Sequence, residues 1–155
     1  MDLIDTHQHL IYNNEVSYGW AKEIPALQSD FTVEDYHHLT KDYNIIGTLF
    51  MECAVDDPDY KKESNFIHSL MQKSDSGIKG LILSIRPEND SEFDKWLEES
   101  NSLGAVGYRR VLHTEPNELS QQSNFRENIS KIGKTGKPFD LCFREDQLKI
   151  AIELS

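Results

Sequence analysis

The sequence predicts a parallel α/β fold built from five βα units, and three observations carry that prediction. Five short runs rich in apolar and β-branched residues recur along the 155 residues. Between successive runs lie segments with apolar residues at helical spacing. The strand candidates begin about 27 to 43 residues apart, room for one strand, one helix and two turns per unit, the alternation that builds a parallel sheet.

The strands are read in MDLID at the start, NIIGTLFMECA (44–54), GIKGLILSI (77–85), GAVGYRRVL (104–112) and KPFDLCF (137–143). In FTVEDYHHLTKDYN, Thr32 is placed to cap a first helix with Asp35 in a capping-box position, and Tyr36, Leu39 and Tyr43 are read as its apolar face. In DPDYKKESNFIHSLMQKSDSG, Pro58 suits a first turn, Phe66, Ile67, Leu70 and Met71 form the stripe, and Gly77 follows the end. SEFDKWLEESNSLG repeats the pattern, with Ser91 as cap, Phe93, Trp96 and Leu97 as stripe and Gly104 after the end. SNFRENISKIGKTG does so with Ser123 as cap and Gly133 and Gly136 at the far end, and a last helix begins near Arg144. Glu34, Asp35, His37, His38, Glu98 and Glu99 read as solvated faces. Residues 11–30 form one long connection after the first strand, where loops of a parallel fold open onto the usual position of a site.

Bulk composition narrows the function. A chain 37% hydrophobic and 28% charged is ordinary globular material, read as one domain. A net charge of -11 without a basic cluster disfavours nucleic acid and anionic membranes, and no apolar run approaches the roughly 20 residues of a membrane helix. The opening MDLIDT lacks the features of an export signal, so the expected location is cytoplasmic. Cys53 and Cys142 each sit in an apolar run and read as small buried thiols in a reducing compartment. No glycine-rich phosphate loop, G-x-S-x-G elbow or C-x-x-C pair occurs.

LIDTHQHL places Asp5, His7 and His9 at alternate positions, which an extended strand projects to one side. Two imidazoles can then converge on one ion, at about 2.0–2.1 Å each for zinc. Alone, a His-x-His pair is more often a hydrogen-bonded pair than a ligand set; its position at the end of the first strand favours the metal. In GAVGYRRVL, Ala105, Gly107, Arg109 and Val111 share a face suited to a tight barrel interior. Arg109 either clamps a substrate carboxylate or pairs with Glu52 or Asp140, and these three make the candidate substrate-binding set. Asp140 interrupts a run read as buried, so it requires a partner. His113, just after the fourth strand, is read either as polar surface or as a site-lining residue.

These motifs also resemble a family. IDTHQHL with the tryptophan of YGW is similar to the opening of the amidohydrolase-2 group of metal-dependent hydrolases, which includes sugar lactonases and the hydrolase of 2-pyrone-4,6-dicarboxylate. DFTVEDYHHL resembles the entry to that family's first helix, GAVGYRRVLHTEP its G-x-R-x-V-L-x-x-E-P strand and turn, and FDLCFREDQL its fifth strand and following helix. The resemblance implies a (β/α)₈ TIM barrel in which His7 and His9 hold a divalent metal, zinc first, and Arg109 faces the substrate. It implies hydrolysis by activated water of a small lactone or related ester-like bond in an acidic or sugar-acid substrate.

Such a barrel typically takes about 250 residues. The family's later histidine, in Asp-His-x-Gly-Lys, and its last-strand aspartate have no counterpart among these residues. Residues 1–155 are therefore expected to be the N-terminal part of a single barrel domain, with the general base beyond residue 155 and metal held weakly by two histidines. Whether the chain is itself an enzyme is left open. The alternatives are a catalytically incompetent barrel fragment, prone to self-association through open strand edges, and a flavodoxin-like binding module with an open parallel sheet.

Overall fold

A computed structural model describes residues Met1–Ser155. All five apolar runs form strands: β1 (Leu3–Gln8), β2 (Ile45–Met51), β3 (Ile78–Ser84), β4 (Ala105–Val111) and β5 (Phe139–Cys142). Helices α1 (Val33–Thr40), α2 (Tyr60–Met71), α3 (Asp90–Ser102), α4 (Ser123–Lys134) and α5 (Leu148–Leu154) alternate with them. The strand order follows the sequence, β1-β2-β3-β4-β5. That order excludes the flavodoxin-like alternative, in which β1 lies between β2 and β3; here β2 pairs in parallel with both β1 and β3. Five sequential βα units make a partial (β/α)₈ barrel. No helix is long and apolar enough to cross a membrane.

The chain divides into two compact units, Met1–Ile82 and Leu83–Ser155. In the first, Leu10, Phe50, Met51, Ile67, Ile78 and Leu81 are buried. The predicted capping box opens α1: Thr32 Oγ1 accepts from the Asp35 amide at 3.2 Å, and the Asp35 carboxylate accepts from the Thr32 amide at 2.9 Å. The apolar face drawn through Leu39 and Tyr43 is not buried. These side chains are 67% and 65% exposed, because the helix ends at Thr40 and only Val33 and Tyr36 turn inward. A 3₁₀ turn over Asp57–Asp59, with Pro58 in its first turn, leads into α2. The buried face of α2 runs through Tyr60, Glu63, Ser64, Ile67 and Leu70, with Phe66 and Met71 at its margins. Gly77 turns the chain from α2 into β3 at φ 73°, a left-handed conformation that a side chain would strain.

In the second unit Leu83, Ile85, Phe93, Trp96, Tyr108, Leu112, Phe125 and Ile132 are buried. Neither predicted serine is the cap here. Asn89 precedes α3 and Gln122 precedes α4, and neither helix has a side-chain cap bond. Burial of Phe93 and Phe125, rather than capping, sets where these helices start. Gly133 falls inside α4, and Gly136, at φ 76°, is the glycine that follows its end. β5 pairs in parallel with β4, setting Arg109 opposite Asp140 and Val111 opposite Cys142. All four residues of β5 are half-buried, which corrects the reading of KPFDLCF as a buried strand. The Asp140 side chain is 39% exposed, so water supplies part of its solvation, and Cys142 is half-buried rather than enclosed.

Candidate functional site

The imidazole pair lies where β1 ends. Pairing of β1 with β2 shifts register between Asp5 and Gln8, the stretch that carries His7, and such irregularities re-aim side chains. His7 Nε2 lies 3.1 Å from His9 Nε2, with the two rings edge to face. His9 Nδ1 is 2.9 Å from the carbonyl oxygen of Met51. A carbonyl only accepts, so Nδ1 carries the proton and the His9 Nε2 lone pair is directed at His7, the arrangement that orients metal-bound histidines. With each nitrogen about 2.05 Å from a zinc ion, a 3.1 Å separation subtends about 98° at the metal, close to a tetrahedral corner. The pair therefore fits two ligand positions. No group of three or more His, Cys, Asp or Glu side chains is placed to hold a metal ion, so the donor set of a catalytic zinc is not complete in this chain.

Asp5 does not bring its carboxylate to the two ring nitrogens. It accepts from the His7 amide at 2.9 Å and from the Tyr36 hydroxyl at 2.7 Å, bracing the strand against α1. Burial, and after it the bond to Asp5, push the Tyr36 hydroxyl well above the usual tyrosine range, so it stays a donor. Glu52, just beyond β2, is 1% exposed, and its carboxylate accepts from the Ala54 amide at 2.8 Å. Ala54 itself has φ 50°, a left-handed conformation rare for alanine, next to the segment that receives the long loop.

That loop, residues 11–30, is fastened to the segment after β2. The Trp20 indole donates to the Cys53 carbonyl at 3.0 Å. Asp56 accepts from the Ser17 hydroxyl at 2.6 Å and the Gly19 amide at 2.9 Å, and Asp59 accepts from the Ser17 amide at 2.8 Å. A Cβ at position 19 would lie 2.6 Å from the Asp56 carboxylate, so a side chain there would push that carboxylate off its present position. The loop lines an open pocket of about 320 Å³ whose walls include Asn13, Ser17, Tyr18, Lys22, Gln28 and Asp59. The Ser17 hydroxyl, and secondarily the Gly19 amide, hold the Asp56 carboxyl below its ordinary range against the opposing effect of burial. A depressed carboxyl adds stability above its unfolded pKa and loses it as pH falls through the folded value. The Trp20 indole N–H resonance is therefore expected to shift on acidification below about pH 4. Ser17→Ala should move that midpoint upward; an unmoved midpoint would show that Asp56 does not hold the loop.

In the second unit Arg109 is 7% exposed, and its Nη1 lies 4.0 Å from Asp140 Oδ2 across the β4–β5 pair. The pairing with Asp140 is thus present as a loose contact rather than a bidentate fork. The neighbouring Arg110, next along β4, holds a carboxylate network of its own. Its Nη2 is 2.9 Å from Glu88 and 3.2 Å from Glu115. Sequence reasoning missed this triad; the only local signal is the glutamate of HTEP five residues after Arg110. His113 is half-buried, with Nδ1 3.3 Å from Cys142 Sγ. His37, His38, Glu34, Asp35, Glu98 and Glu99 are exposed, as expected.

No protein-family model and no curated protein matches the sequence. Solved structures do match. An amidohydrolase 2 from Bifidobacterium longum subsp. infantis superposes with TM-score 0.74 at 20% identity, over 99% of this chain and 56% of its own. An amidohydrolase from Burkholderia multivorans with HEPES bound gives TM-score 0.79 at 15% identity, over 97% and 52%. The same enzyme with zinc bound gives TM-score 0.77 at 16% identity, over 96% and 51%. A probable 2-pyrone-4,6-dicarboxylic acid hydrolase from Acinetobacter baumannii with citric acid bound gives TM-score 0.67 at 15% identity, over 90% and 48%. The chain spans about half the length of the structures it matches. In fold, it is about half of an amidohydrolase-type (β/α)₈ barrel.

Proposed function

We propose that residues 1–155 belong to a single barrel domain of an amidohydrolase-superfamily hydrolase. Its reaction is the opening, by activated water, of a small lactone or related ester-like bond in an acidic or sugar-acid substrate. The carrying observation is the convergence of His7 and His9 through their Nε2 atoms at the end of the first strand, in a fold shared with amidohydrolases, one of them solved with zinc. His7 and His9 are the metal ligands, with His9 held in the ligating tautomer by the Met51 carbonyl. A bound zinc supplies Lewis acidity and a water of lowered pKa. Arg109 receives a substrate carboxylate with its planar fork, and Asp140 stands 4.0 Å from the guanidinium across the β4–β5 pair. Glu52 completes the substrate-binding set. The citric acid held by the Acinetobacter hydrolase is an acid of the class that such an arginine would bind.

Two titrations test this reading. Calorimetry with Zn²⁺ is expected to show one site in the native chain and none in His7→Ala/His9→Ala; equal binding by both would end the metal assignment. Citrate is expected to bind Arg109→Met at least tenfold more weakly than the native chain, a loss of about 1.4 kcal/mol. Undiminished citrate affinity would remove Arg109 from the substrate set.

A further inference from the structure

Both cysteines lie 3.3 Å from the Nδ1 of a histidine, Cys53 beside His9 and Cys142 beside His113, yet the two pairs have opposite chemistry. Cys53 is 4% exposed, and its sulfur lies 3.2 Å from the Leu10 carbonyl, which accepts only from a protonated thiol. The neighbouring His9 Nδ1 directs its own proton to the Met51 carbonyl and has no lone pair for the Cys53 proton. Cys142 ends β5 and is half-buried, and His113 lies just beyond the end of the adjacent β4. The Arg144 guanidinium donates to the His113 carbonyl and holds that residue in place. His113 Nδ1 faces the Cys142 sulfur at 3.3 Å, and in the tautomer protonated at Nε2 it accepts the thiol proton.

We infer that Cys142 and His113 form a reactive thiol pair, a modification site for soft electrophiles and hydroperoxides. An imidazole within hydrogen-bond reach raises the thiolate fraction, and the thiolate is the nucleophile. With hydrogen peroxide as oxidant, the Cys142 proton passes to His113 Nδ1 and the sulfur attacks one peroxide oxygen. An S–O bond forms as the O–O bond breaks, and the departing hydroxide takes the proton from His113 and leaves as water. Sulfur is oxidised to a sulfenic acid and the peroxide is reduced to water. Asp140 lies two residues back on the same face of β5, so modification adds bulk and polarity beside the Arg109 contact. The assignment does not depend on the hydrolase reading.

The test is alkylation of the folded chain with iodoacetamide, followed by peptide mass spectrometry, and peroxide treatment followed by dimedone trapping. Cys142 is expected to alkylate at least tenfold faster than Cys53 and to be the residue trapped by dimedone. His113→Gln is expected to slow Cys142 at least fivefold. A readout needing no histidine variant is thiolate absorbance at 240 nm and neutral pH, expected in the native chain and absent in Cys142→Ser. Equal labelling of the two cysteines, an unchanged Cys142 rate in a folded His113→Gln chain, or identical 240 nm absorbance would overturn the assignment.

Discussion

Replacing Arg110 with alanine is expected to lower unfolding free energy by about 3 kcal/mol, the lower end of the range for stripping one partner from a buried ion pair. Its guanidinium is 8% exposed and bridges two carboxylates, Glu88 at 2.9 Å and Glu115 at 3.2 Å. Truncation leaves Glu88, whose side chain is 19% exposed, with its charge uncompensated. Glu88 Oε2 is buried and has no hydrogen-bond partner even in the native chain, so it has no alternative donor to turn to. Glu115, 31% exposed, is hydrated from outside and adds less. Urea denaturation should register a midpoint lower by about 1.5 M at a slope near 2 kcal/mol/M. Adding Glu88→Gln to Arg110→Ala should recover about 1 kcal/mol, the coupling expected of contacting charges. A cost below about 1 kcal/mol for the single change would place the triad with ordinary surface pairs.

Trp96→Ala is expected to cost about 3–5 kcal/mol, the range for removing a large aromatic side chain from a packed interior. Trp96 is 2% exposed on α3, and its indole donates to the Ser84 carbonyl at 3.0 Å, tying the helix to the end of β3. Trp96→Phe separates the two contributions, because it keeps most of the apolar contact and loses the indole bond, at a cost of about 1 kcal/mol beyond the lost volume. Far-ultraviolet circular dichroism under urea reads all three chains without relying on tryptophan emission. If alanine costs no more than phenylalanine, packing by Trp96 contributes little.

The strands and their order of alternation with helices were legible because backbone periodicity is local. A short apolar run such as GLILSI, or a stripe such as Phe93 and Trp96, is a local signal. The Thr32 cap was legible for the same reason, since its partner Asp35 is three residues away. Ser91 and Ser123 were not caps, because capping contributes less than burial of Phe93 and Phe125. Tyr43 was misplaced because helical spacing does not report where a two-turn helix ends, and Leu39 because it does not report which side of so short a helix is buried.

The site divides along the same line. The sequence by itself determined the βα alternation and the adjacency of His7 and His9, since residues two apart on an extended chain are neighbours whatever the rest of the molecule does. Only the tertiary structure decided what His9 Nδ1 faces, how exposed Asp140 is, and that Arg110 meets Glu88 and Glu115. It also decided that Cys142 meets a histidine 29 residues away while Cys53 meets one 44 residues away. The physical reason is that hydrogen-bond direction and burial depend on atoms brought together by packing, and no local period encodes which distant carbonyl or carboxylate arrives.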